Sequence, residues 1–130
     1  VELPQYFMTL PMQRPRLWAM VMLLYPVLSV IPQELIYRTF FFHRYGPLFG
    51  RSRWLLIAVN ALAFGLAHII YGSYVSLVLT TALGVILAWR YDRTRSFWAV
   101  WLEHALYGCL VFTIGLGGFF FTGVANVGAR

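Results

Sequence analysis

The chain has 130 residues, of which 61% are hydrophobic and only 11% charged, about half the charged share of an ordinary soluble domain. That balance excludes a typical soluble globular fold and points to a single membrane-embedded helical unit. All ten basic residues are Arg and the net charge is +6, but no arginine cluster interleaves with a polar face, which argues against nucleic acid as a partner.

Residues 1–16 (VELPQYFMTLPMQRPR) carry Pro4, Pro11 and Pro15 and cannot form one continuous helix. They read as an interfacial lead-in. The chain opens at Val1 with no recognisable signal peptide and reads as a piece whose earlier helices are missing. Leu17 to about Tyr45 is a first apolar helix, interrupted by Pro26 and Pro32. Each proline frees a backbone carbonyl, tolerable in a membrane only where protein or water satisfies it. A proline two residues before Glu34 therefore turns this part of the helix toward protein.

RYGPLFGRSR (44–53) is a turn punctuated by Gly46-Pro47. Trp54–Tyr71 is a second span, Gly72-Ser73 a tight turn, and Tyr74–Trp89 a short third span with a snorkelling Arg90. RYDRTR (90–95) reads as a charged loop, and Phe97 to about Ile114 as a fourth span. The Gly-rich stretch 115–130 is a tail or partial helix. The expected fold is all-α: a polytopic transmembrane bundle of about four spans over 17–114, in contact with membrane lipid. Cys109 has no partner for an internal disulfide and is expected to be a small buried hydrophobe.

Alternating spans put Arg44, Arg51, Arg53, Arg90, Arg93 and Arg95 on one side and Arg14 and Arg16 on the other. The positive-inside rule then assigns the arginine-rich loops to the cytoplasm, in a bacterial inner membrane. At 1.5 Å per residue, Glu34 lies roughly 15 Å from Arg44, His68 roughly 21 Å from Trp54 and His104 roughly 14 Å from Arg95. Three helices thus bring polar groups to a similar depth. Glu34, His68 and His104 are expected to line one cavity opening toward the arginine-rich side.

Glu34 and Arg38 are four residues apart, with Glu N-terminal to Arg, the favourable order on one helix face. An ionisable group in hydrocarbon is expensive and by default marks a site. One reading is an ion pair that only rigidifies the bundle; the other is that Arg38 holds the carboxylate and aims it at a polar cavity. His68 and His104 add imidazoles on two further helices, and Gly108 leaves room beside His104. Two histidines and a carboxylate could bind a divalent metal such as Zn, which needs three protein ligands and an open water position, or the trio could polarise water without one. Glu103 points about 100° away from its neighbour His104, toward Arg38 or the cavity wall. His43 reads as structural, and Phe40, Phe41 and Phe42 as a lipid-facing or interfacial belt.

QELIYR (33–38), FGLAH (64–68) and EHALYG (103–108), in this order on separate helices, resemble the CPBP family. These are the CAAX proteases and bacteriocin-processing enzymes, also described as type II CAAX prenyl endopeptidase-like. Their pattern is EExxxR, FxxxH, and a His followed four residues later by Asn. The resemblance covers roughly residues 20–112. It implies an intramembrane endopeptidase, acting directly or through a divalent metal, on peptide or lipidated-protein substrates. By position Glu34, Arg38, Phe64, His68 and His104 match the motifs. The first Glu of the pair, which carries the family's catalytic role, is Gln33, and the Asn that supports the oxyanion is Gly108. Either Glu34 takes over as the water-activating group, with His68 and His104, or the chain is a degenerate relative that binds without cleaving. A haem protein with His68 and His104 as axial ligands would leave Glu34 and Arg38 idle.

Overall fold

The computed structural model describes residues 5–120. Helix α1 (Thr9–Gln13) ends at Arg14. Pro15, which has no N–H to waste at a helix start, opens α2 (Pro15–Phe49), a continuous helical run of 35 residues. It is followed by α3 (Arg53–Tyr71), α4 (Tyr74–Thr94) and α5 (Phe97–Ile114), then a 3₁₀ segment, Leu116–Phe120. Four of these helices are long and apolar enough to cross a membrane, and no strand occurs among the described residues. The all-α bundle of four spans expected from the sequence is the observed fold. Residues 1–4 of the expected lead-in and 121–130 of the expected tail lie outside the described residues.

At 1.5 Å per residue α2 is about 52 Å long, against about 30 Å of hydrocarbon. It is also not a uniform α-helix: Pro26–Val30 and Leu35–Phe40 are π-helical. These widened turns explain a burial pattern that α geometry alone does not. Val30, Glu34, Arg38, Phe42 and Gly46, each four residues from the last, are all buried. With 3.6 residues per turn, each four-residue step would drift about 40°, roughly 160° over the stripe. Extra residues in the π turns cancel that drift and keep one face inward. The Pro26 carbonyl, inside the first π turn, accepts from Trp101 Nε1 on α5 at 2.8 Å.

Helix α4 runs five residues past the expected end of the third span, so RYDRT (90–94) is helical and only Arg95 and Ser96 form the turn. Ser73 caps α4 by accepting from Ser76 N, and Ser96 caps α5 by accepting from Ala99 N. The two arginine-rich turns meet at one end of the bundle, where Asp92 pairs with both Arg53 and Arg95. Beneath them Phe42, Leu56, Ile57, Leu87, Ala88, Tyr91 and Val100 form the apolar core. Phe42 is therefore not part of a lipid-facing belt. It packs edge-on against Tyr91 at 5.0 Å, because consecutive helical residues diverge by about 100° and cannot share one face. Phe40 is exposed, as expected. Cys109 is half-buried, not buried as expected.

Hydrocarbon supplies no hydrophobic drive between helices, so close backbone approach at small residues has to hold the bundle. The most extensive pairing, α3 with α4, follows this rule. A Cβ on Gly84 would stand 3.0 Å from Ala61 Cα and 3.2 Å from its carbonyl oxygen. At the far end Gly115 (φ +97°) leaves room for the backbone of Tyr6, which brings the lead-in against the end of α5. Gly84→Leu should destabilise the bundle by at least about 1–3 kcal/mol, the usual overpacking cost. Ala58→Leu, on an exposed face of α3, should leave stability unchanged. Thermal unfolding of both variants in detergent measures the difference.

Candidate active site

The inward stripe of α2 delivers Glu34 and Arg38 to the centre of the bundle, where both are fully buried. His104, on α5, is 2% exposed, and its Nδ1 lies 2.6 Å from Glu34 Oε1. A carboxylate only accepts, so Nδ1 carries the proton and Nε2 presents a lone pair. Glu34 Oε2 faces Arg38 Nε at 3.4 Å within the same helix. Arg38 is fixed from two further directions. Its Nη1 donates to Asn60 Oδ1 at 3.2 Å, and its guanidinium lies 4.8 Å from the centre of the Phe64 ring. Asn60 in turn donates to the Tyr37 carbonyl at 2.5 Å. The carboxylate is thus held between a cation and an imidazole, with an amide steadying the cation.

His68 arrives differently. It opens the 3₁₀ segment His68–Tyr71 at the end of α3, and its Nδ1 donates to the Phe64 carbonyl at 2.7 Å, leaving Nε2 as acceptor. The Phe64 ring lies between the two histidines, 4.7 Å from His68 and 5.7 Å from His104. Both histidines line a cavity of about 690 Å³ whose wall is otherwise largely apolar. The two sequence-predicted imidazoles therefore share one cavity, and Glu34, Arg38 and His104 share one buried cluster.

Several expectations are corrected by this arrangement. Glu34 does not line the cavity; it sits behind His104, whereas Gln33 does line it and donates to Ser29 Oγ at 2.8 Å. The cavity wall extends through Leu17, Tyr71 and Phe120, toward the end opposite the arginine-rich turns. Glu103 reaches neither Arg38 nor the cavity: it pairs with Arg90 at 2.8 Å, since its position on α5 faces α4. The space beside His104 at Gly108 is filled by the Tyr25 phenol. Two further participants are Asn60 and Tyr25. Asn60 is an isolated amide in an apolar span, a legible hint; Tyr25 precedes a proline and carries none.

A metal ion would need Glu34, His68 and His104 to converge, and they do not. Both Glu34 oxygens face Arg38 or His104, His104 Nε2 faces the Tyr25 hydroxyl at 3.3 Å, and no group of three such ligands is gathered among the described residues. The donor set as arranged does not fit a resident ion.

Breaking one side of a buried ion pair typically costs about 3–5 kcal/mol, while replacing both partners often costs little. Arg38→Ala should therefore lose that much stability and much of its folded yield in detergent. Arg38→Met combined with Glu34→Gln, which keeps an acceptor for His104, should recover most of it.

No curated protein and no solved structure matches the chain significantly. The profile of the type II CAAX prenyl endopeptidase Rce1-like family matches residues 15–110, a span that contains α2, α3, α4 and most of α5 and every residue of the buried cluster. The chain belongs to the type II CAAX prenyl endopeptidase Rce1-like family.

Proposed function

We propose that the protein is an intramembrane endopeptidase in which His104 activates water and Glu34 serves it from behind. The observation that carries this reading is the 2.6 Å contact between Glu34 Oε1 and His104 Nδ1. It fixes the imidazole tautomer with the unprotonated Nε2 on the cavity side, beside the Tyr25 hydroxyl. In the attack step a water oxygen bonds to the scissile carbonyl carbon and its proton passes to His104 Nε2. The resulting imidazolium is balanced by the buried carboxylate, itself held by Arg38. The tetrahedral adduct then collapses, the C–N bond breaks, and the leaving amine takes the proton from His104. His68 Nε2 is a second acceptor on the wall of the same cavity.

The apolar lining of the cavity suits a lipidated or strongly apolar peptide segment entering from the bilayer. In this reading the protein sits in a bacterial inner membrane with the Arg53–Asp92 end on the cytoplasmic side, as the positive-inside rule favours, and the cavity then extends toward the opposite leaflet.

A second reading rests on Gln33. An amide stands at the cavity wall where the family pattern has a carboxylate, and it is hydrogen-bonded to Ser29. This favours a relative that binds such segments without cleaving them.

A panel of lipidated and unlipidated membrane peptides separates the two. Glu34→Gln and His104→Gln should each lower turnover on the order of 10²–10⁴-fold, and a chelator should leave the parent unchanged. Unchanged turnover in both variants rejects the dyad. Cleavage that appears only in Gln33→Glu identifies a binding relative, and loss to chelator with recovery on added Zn restores the metal reading.

A further inference from the structure

We propose that the Tyr25 hydroxyl is the oxyanion donor of this site, stabilising the carbonyl oxygen as it takes up charge; this rests on the peptidase reading above. Tyr25 lines the cavity, and its hydroxyl stands 3.3 Å from His104 Nε2. That nitrogen carries the lone pair, so the phenol is the donor of the pair. A carbonyl carbon attacked by water at Nε2 can place its oxygen within reach of the same hydroxyl. In the resting site the hydroxyl caps the imidazole through a long hydrogen bond, one it can exchange for a stronger, charge-assisted bond to the oxyanion.

The phenol is built into place. Its ring is held edge-on by Phe112 at 5.3 Å and His104 at 6.3 Å. A Cβ at Gly108 would overlap its Cε1, Cζ and hydroxyl. Glycine one helical turn beyond His104 is thus the seat of the Tyr25 ring, and any side chain there displaces it. Three other polar groups on the cavity wall donate elsewhere: the Thr80 hydroxyl to the Ser76 carbonyl, the Tyr107 hydroxyl to Glu103, and the Gln33 amide to Ser29. Tyr25 is the hydroxyl aimed at the reacting nitrogen.

During attack the new C–O bond forms as the carbonyl π pair moves onto oxygen, which accepts the Tyr25 O–H hydrogen bond while His104 holds the water's proton. On collapse the pair re-forms the carbonyl, the amine leaves with the His104 proton, and Tyr25 remains protonated throughout. No electrons or protons are left over.

The test is Tyr25→Phe, which keeps the ring packing and removes only the donor. Its kcat should fall about 10²–10³-fold, the usual effect of losing one oxyanion donor, with KM and the detergent melting temperature little changed. A second pair of variants guards against a packing artefact. Tyr25→Leu with Gly108→Asn opens the ring's space and returns an amide donor beside His104, and should turn over faster than Tyr25→Leu alone. Parental kcat in Tyr25→Phe, or a change confined to KM or stability, overturns the donor role and leaves the peptidase reading standing. A parent that cleaves nothing overturns both.

Discussion

A carboxylate at full burial, Glu34, is held from opposite sides by the Arg38 guanidinium and the His104 imidazole. Everything else about the centre of this bundle is arranged around that contact. An ionised group in a bilayer is costly unless paired, and a buried pair gains little net stability over apolar packing. Such a cluster is a poor way to strengthen a bundle. It is a good way to hold one imidazole in one tautomer, at one place, facing one cavity.

The helix that carries the pair had to be bent to the task. A buried stripe of period four on α2 needs widened turns, and the two π segments either side of Ile31–Glu34 provide them. Pro32 lies between them, where its missing N–H already breaks the α ladder. Relaxing the helix at that point costs less than it would in a regular stretch. The same irregularity exposes the Pro26 carbonyl, which the Trp101 indole satisfies, tying α2 to α5 next to the residues whose contact matters. Helix widening, interhelical hydrogen bonding and site geometry are one feature seen at three scales.

Much of this was legible in the residues themselves. Apolar runs broken by Gly, Pro and Arg define the four spans to within a few residues, because the bilayer admits few alternatives. Glu34, Arg38, His68 and His104 stand out since ionisable groups are rare in such runs. The end of α4 was misread because arginines and an aspartate resemble a loop, whereas Asp92 uses the last helical turn to reach Arg53. Which of Gln33 and Glu34 faces the cavity could not be read from spacing. Adjacent residues differ by about 100°, and π turns shift the phase of everything beyond them. Tyr25 was invisible for a related reason: its role comes from a glycine 83 positions away.

The central claim is that Glu34 holds His104 with Nδ1 protonated and Nε2 unprotonated on the cavity side. Nitrogen-15 NMR of histidine-labelled protein in lipid nanodiscs reads this directly, with the His104 signals assigned through their loss in His104→Gln. The account predicts an Nδ1–H tautomer with a strongly deshielded proton, and Glu34→Gln should move that proton upfield. An Nε2–H tautomer in the parent, or an Nδ1 signal indifferent to Glu34→Gln, would contradict it.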